Sequence, residues 1–170
     1  ISFVIKSNRR KKKVVFSTDI HLDNPELNVA KLQNLLLMHR SDLLKEVSQK
    51  KKLLAVAGTH GKTTTSSLLT HVLMEADLSP SFAVGGILNN YNLNAQEGKG
   101  SHFVLEADES DGTFLKYDYE GAIVTNIDTD HIAHFGSFEK IIESFETFVT
   151  KGKHAELLWL CADDERLCTM

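Results

Sequence analysis

The stretch "LLAVAGTHGKTTTSSLL", residues 53–69, decides how this chain is read. Leu53 to Ala57 is an apolar run of strand length, and from about Lys62 to Ala76 the pattern is helical. Gly58, Thr59, His60 and Gly61 lie between them. Glycines let main-chain N–H groups turn toward an anion without a clashing side chain. A helix starting at the loop adds its own unpaired N–H groups and dipole. In such a loop Lys62 bridges terminal phosphates and the Thr63 hydroxyl serves Mg²⁺. The standard phosphate loop has its first glycine five residues before the second, and position 56 here is valine. The ordinary alternative is a strand-to-helix turn that happens to contain Gly-Lys-Thr. The flanking strand and helix favour the phosphate loop.

Two further motifs end the strands that follow. In open α/β sheets, ligands gather outside the carboxyl ends of the strands. "EADESDGTF" (106–114) ends the apolar run Phe103 to Ala107, and "TNIDTDHIAHFG" (125–136) ends the run Ala122 to Asn126. Bare carboxylates would repel nucleotide phosphates, whereas a divalent cation turns that repulsion into attraction. Mg²⁺ takes one or two carboxylates together with phosphate oxygens. Glu106, the acid nearest its strand, is the expected ligand. His131 would be an unremarkable polar residue by itself. Its interest lies in its place on a third strand-end loop, on the same sheet edge as Lys62 and Glu106.

The rest of the chain supports an α/β reading. Val14 to Ser17 and Leu35 to Leu37 read as short strands. Asn24 caps a helix with Pro25 at its first position, and Ser41 is expected to cap another. The polar stretch 48–52 marks a domain boundary. Ser81 to Val84 reads as a strand, and Gly85-Gly86 with the Asn-rich stretch 89–94 as a loop. Ser137 caps an amphipathic helix with Phe138, Ile141, Ile142, Phe145, Phe148 and Val149 on one face. Leu157 to Leu160 begins a further strand. Short apolar runs alternating with helices argue for a parallel sheet.

Composition sets outer bounds. Hydrophobic residues make up 42% and charged residues 25% of the 170, the balance of a soluble globular protein. No apolar run approaches the roughly 20 residues of a membrane span, and no secretory signal opens the chain. Two cysteines, Cys161 and Cys168, make no disulfide framework. The expected location is the cytoplasm, without membrane insertion. The net charge of −4 argues against a nucleic-acid partner. The one basic run, residues 9–13, is read as a solvated, poorly ordered segment.

"GTHGKTTT", "EADESDGTF" and "TNIDTDH", in this order, resemble the Mur ligases, and with "STDIHLDNPEL" and "HRSDLL" the resemblance covers roughly residues 14–165. It implies a phosphate-loop NTPase-like central domain with a parallel sheet, incomplete here, over residues 51–170. Residues 14–50 would then be the end of a Rossmann-like domain that binds a UDP substrate. The implied reaction is ATP-dependent amide formation in peptidoglycan synthesis. "GTHGKT" and "EADESD" favour the branch that joins L-alanine to UDP-N-acetylmuramate through an acyl phosphate. Lys62, Glu106 and His131 would be the catalytic residues. Gly58, Thr59, His60, Gly61, Lys62, Thr63 and Thr64 would bind ATP. Thr63 and Glu106 would hold one Mg²⁺ and His131 a second. Gly85, Gly86, Asn94, Ser110 and Asp111 are weaker candidates for contacts to the UDP-sugar.

Three departures accompany the resemblance. No Gly-x-Gly-x-x-Gly opens the chain. The acid that the family usually has two residues after His131 is Ala133 here, followed by His134. The family's later adenine-contacting residues and its carboxyl-terminal domain would lie past Met170. Little or no ligase activity is therefore expected of this polypeptide alone. Other amide ligases of the same kind, including those that add glutamate to folates, are the nearest alternative. A non-catalytic nucleotide- or UDP-sugar-binding module is the second. A phosphate-loop GTPase or small-molecule kinase is the third, and the GTPase's guanine-reading Asn-Lys-x-Asp is missing.

Overall fold

A computed structural model describes residues 3–5, 13–130, 135–152 and 155–170. The chain divides into two compact units, residues 1–47 and 48–170. His131, Ala133, His134 and positions 9–12 of the basic run lie outside the described residues.

The first unit is a three-stranded sheet of β1 (Phe3–Ile5), β2 (Lys13–Phe16) and β3 (Leu36–His39), in that spatial order. The β1–β2 pair is antiparallel and the β2–β3 pair parallel. Helix α1 (Pro25–Leu32) provides the crossover between β2 and β3. It starts as its sequence predicts: Asn24 Oδ1 accepts the Glu26 N–H at 2.9 Å, and Pro25 has no N–H to leave unpaired. Leu27 and Ala30 bury against Val14, with Leu35 and Leu37 packed around them. Helix α2 (Arg40–Ser48) begins two residues earlier than a Ser41 cap would allow. The His39 ring takes the capping place, with its Nδ1 3.2 Å from the Ser41 N–H and 2.7 Å from the Ser41 hydroxyl.

The second unit carries six strands: β4 (Lys52–Ala57), β5 (Ser81–Leu88), β6 (Leu93–Gln96), β7 (His102–Glu106), β8 (Gly121–Val124) and β9 (Leu158–Leu160). Their order is β6-β5-β7-β4-β8-β9. All neighbours pair in parallel except β5 and β6. The strand that feeds the glycine loop is therefore central, and the strands bearing the two other motifs flank it. The interiors of β4, β7 and β8 are buried, as continuous apolar runs in a parallel sheet should be. Helix α3 (Lys62–Glu75) packs against β4, β5 and β7.

Helix α4 (Phe138–Thr150) opens at Ser137, whose Oγ accepts the Lys140 N–H. Ile141, Phe145 and Phe148 are fully buried, while Phe138, Ile142 and Val149 flank them at partial exposure. Phe148 stacks on Phe114 at 5.1 Å between ring centres and packs against Tyr119 at 4.7 Å. The Tyr119 hydroxyl donates to the Phe148 carbonyl at 2.6 Å. Burial pushes that hydroxyl's pKa up to about 12, so it stays protonated and keeps donating.

One expectation is corrected in this unit. Gly85 and Gly86 belong to β5, and part of the Asn-rich stretch is strand β6, so a hairpin stands where a loop is expected. Main-chain pairing of β5 with β7 covers Ser81 to Ala83 and pairing with β6 resumes at Leu88–Leu93. The intervening glycines leave room for side chains. A Cβ on Gly85 would sit 2.8 Å from both Glu106 carboxylate oxygens, and one on Gly86 2.9 Å from Thr63 Cγ2. A side chain at either position would therefore force Glu106 or Thr63 out of its present place.

Candidate active site

The loop between β4 and α3 is held by the strand beside it. Gly58 has φ +126°, a conformation that side-chain-bearing residues rarely adopt. A Cβ there would lie 2.1 Å from Thr125 Oγ1. The same hydroxyl donates to the His60 carbonyl at 2.6 Å. Asn126 completes a clasp: its Oδ1 accepts the His60 N–H at 2.9 Å, and its Nδ2 donates to the His60 carbonyl at 3.0 Å. Its main-chain carbonyl takes the Thr59 N–H at 2.9 Å. Thr59 Oγ1 in turn accepts the Asp128 N–H at 2.8 Å. Gly61 (φ +79°) then turns the chain into α3. The N–H groups that open a helix have no acceptor within it, so those at the start of α3 remain available to an anion.

Lys62 folds back over this loop. Its Nζ donates to the Gly58 carbonyl at 2.8 Å and the Thr59 carbonyl at 3.1 Å. It also meets Glu109, at 3.0 Å from Oε1 and 2.9 Å from Oε2. Glu109 is 1% exposed. Burial raises its pKa above the ordinary carboxylate value, although the hydrogen bond and charge of Lys62 pull the other way.

Thr63 and Glu106 come together from different elements. Thr63 Oγ1 donates to Glu106 Oε1 at 2.8 Å, and Glu106 Oε2 accepts the Gly85 N–H. The carboxylate thus continues the β5–β7 ladder at the point where main-chain pairing stops, and it is held in one orientation. A hydroxyl beside a carboxylate is a hard-oxygen donor set of the kind Mg²⁺ takes, and the cation completes its octahedron with phosphate oxygens and water. These residues fit such an ion. Among the described residues no three His, Cys, Asp or Glu side chains form a metal cage of their own.

The remaining candidates are spread around this centre. The His60 imidazole lies 3.4 Å from Asp128 and 3.7 Å from Asp130. The Thr129 amide, and secondarily His60, lower the Asp128 pKa. Thr64 is exposed on the first turn of α3. Ser110 and Asp111 lie in the turn after Glu109, where the Asp108 and Asp111 carboxylates accept the Ser110 and Thr113 amides. Asn94 is exposed on β6.

Four contributors are unmarked in the sequence. Thr125 and Asn126 stand inside the third motif, where attention falls on His131. Glu109 stands inside the second, as one of several acids. Asp164 lies far along the chain and is almost fully buried. It accepts the Ile127 N–H at 2.8 Å and so fixes the loop that follows β8. The signal for the first two was polar side chains directly after a buried strand. Nothing in the sequence marks Asp164.

A central strand, a glycine-bearing turn and a helix with an inward lysine define a phosphate-loop α/β domain. The Mur ligase middle domain, as a family, matches residues 56–170. The UDP-N-acetylmuramate–L-alanine ligase of Protochlamydia amoebophila is 50% identical over 155 residues, covering 91% of this chain and 34% of that enzyme. Its counterpart in Renibacterium salmoninarum is 47% identical over 152 residues, covering 89% and 33%. Among solved structures, the UDP-N-acetylmuramate–alanine ligase of Thermotoga maritima superposes with a TM-score of 0.83 at 30% identity, over 94% of this chain and 37% of that one. The chain belongs to the Mur ligase family. It spans about a third of the length of the curated relatives it matches.

Proposed function

We propose that this chain is part of an ATP-dependent amide ligase that joins L-alanine to UDP-N-acetylmuramate in peptidoglycan synthesis. The observation that carries the proposal is the pairing of a clasped phosphate loop with the Thr63–Glu106 pair one strand away. The choice of alanine rests on the relatives, which carry that activity in their names.

The reaction brings a substrate carboxylate up to the γ-phosphate of ATP, so its first problem is repulsion between anions. Positioning and charge neutralisation supply most of such catalysis. Lys62 holds the transferring phosphoryl group, and the amides around Gly61 hold the phosphates behind it. Gly58, Thr59, His60 and Thr64 complete this nucleotide contact. Thr63 and Glu106 would hold a Mg²⁺, with His131 contributing to a second. When bound, Mg²⁺ supplies positive charge against the crowded phosphate and carboxylate oxygens. The carboxylate takes the γ-phosphoryl group and ADP leaves; the amine of L-alanine then attacks the acyl phosphate, losing a proton, and phosphate leaves as the amide forms.

Gly85, Gly86, Asn94, Ser110 and Asp111 face the UDP-sugar in this reading. A cavity of about 370 Å³ lies beside them, between α3 and the β5–β6 turn, lined by Thr63, Thr64, His71 and Tyr91 among others and by none of these five residues. Residues 14–50 are the end of the UDP-substrate domain and 51–170 the first part of the ATP-binding domain. The setting is cytoplasmic. Among the described residues, no helix is long and apolar enough to cross a membrane.

Calorimetry with Mg·ATP tests the first half of the proposal. Lys62→Ala and Glu106→Ala are each expected to weaken binding by about tenfold or more, because each removes a charged contact. A chimera tests the rest. This chain replaces the matching third of the Protochlamydia enzyme, and turnover is expected with UDP-N-acetylmuramate and L-alanine but not with UDP-N-acetylmuramoyl-L-alanine. A chimera that binds Mg·ATP without turnover, beside an active parent, would overturn the ligase assignment and leave a binding module.

A further inference from the structure

We propose that Glu109 is a positioning residue that competes with the nucleotide's terminal phosphates for Lys62, holding the ammonium over the loop and yielding it as they bind. The inference rests on the nucleotide-binding reading above and adds a residue to it.

The argument starts from the donor count. A lysine ammonium has three hydrogens to give. Lys62 aims them at the Gly58 carbonyl, the Thr59 carbonyl and the Glu109 carboxylate. With all three directed inward, a phosphate oxygen gains a full hydrogen bond from Lys62 only by displacing one of these acceptors. The two carbonyls belong to a loop that Thr125 and Asn126 lock in place. Glu109 is the one anion among the three, and so the one whose role a phosphate can take over.

Burial explains why a carboxylate is used. The Lys62 side chain is 13% exposed and that of Glu109 2% exposed. The two carbonyls are neutral acceptors, and the carboxylate adds the opposite charge that a shielded ammonium lacks from water. Glu109 holds the ammonium stretched across the loop. The cost falls on affinity, because a carboxylate within 3.0 Å of Nζ cancels part of the attraction that Lys62 offers an incoming anion. Asp108, next in the chain, adds to the negative potential at this spot. The exchange is balanced in charge: one anion leaves the ammonium as another arrives, and no proton moves.

Mg·ATP binding by the full chain, followed by calorimetry, provides the test. Glu109→Gln keeps the shape and an acceptor oxygen for Lys62 but removes the charge. It is expected to tighten Mg·ATP about fivefold, the difference between a charged and a neutral hydrogen bond to the ammonium. Glu109→Asp withdraws the charge by one methylene and is expected to tighten binding less. It is also the substitute should the Gln variant fold poorly. In a Lys62→Ala background both changes should alter affinity less, since only direct repulsion of the phosphates remains, a dependence that a merely structural role would not produce. The spectroscopic counterpart is the Lys62 ammonium resonance. In the wild type it is expected to be protected from exchange and to shift on adding Mg·ATP, and in Glu109→Gln to start from a different shift because its charged acceptor has become neutral. Unchanged or weakened binding by a folded Glu109→Gln, or equal effects with and without Lys62, overturns the inference alone. Failure of the wild type and every variant to bind Mg·ATP overturns the nucleotide reading together with it.

Discussion

At Gly58 two demands coincide: a backbone conformation that disfavours side chains and a Thr125 hydroxyl where a Cβ would stand. Gly58→Ala is therefore expected to destabilise the chain by about 2–4 kcal/mol, read from urea denaturation. A second residue-scale prediction concerns pH. Burial pushes the Asp164 pKa up, but the amides of Ile127, Arg166 and Leu167 and the Arg166 guanidinium outweigh it, and the net result is below the ordinary value. The ionised group thus stabilises the fold fully above its unfolded pKa of about 3.9, and that contribution disappears as pH falls through the lower folded value. Asp164→Asn is expected to lower the melting temperature at pH 7 and to flatten its decline below about pH 4. Melting curves between pH 3 and 7 check this. Lys62, Thr63 and Glu106 were legible in sequence because each follows a strand whose apolar run is unmistakable. Glu109 was not, since one glutamate among four acids differs from its neighbours only by burial and by its distance to Lys62.

Among the elements, α4 shows how far periodicity reaches. Its cap, length and buried face all follow from the spacing of Ser137, Ile141, Phe145 and Phe148. Phe148→Ala removes a ring stacked on Phe114 and tilted against Tyr119, and should cost about 3–5 kcal/mol in equilibrium unfolding. The β5–β6 hairpin was hidden for the opposite reason. All four residues of β6 are exposed, so no apolar alternation reveals the strand. Gly85 and Gly86 carry the usual signal of a loop, yet they lie in a strand because Glu106 and Thr63 occupy the space of their missing side chains. At the start of α2, an imidazole takes the cap that the serine rule assigns to Ser41.

The molecule as a whole is two units, and the candidate site lies within the second. A polypeptide of residues 51–170 holds the six-stranded sheet, α3, α4 and the phosphate loop. It is expected to fold alone, with a dispersed amide spectrum and Mg·ATP affinity within about twofold of the full chain. The α/β class and the parallel sheet follow from short apolar runs ending in polar motifs and alternating with helices. Which of those motifs touch one another could not be read that way, because contacts across strands depend on spatial order and the neighbours of β4 come from residues 102–106 and 121–124. The clasp on His60 shows what that order achieves. Asn126 is 66 residues away in sequence, yet its side chain fastens both main-chain polar groups of His60, an exposed residue of the turn. Deuterium should therefore replace the Thr59 and His60 amide protons on the slow timescale of the sheet interior, making this exposed turn one of the last parts of the surface to open.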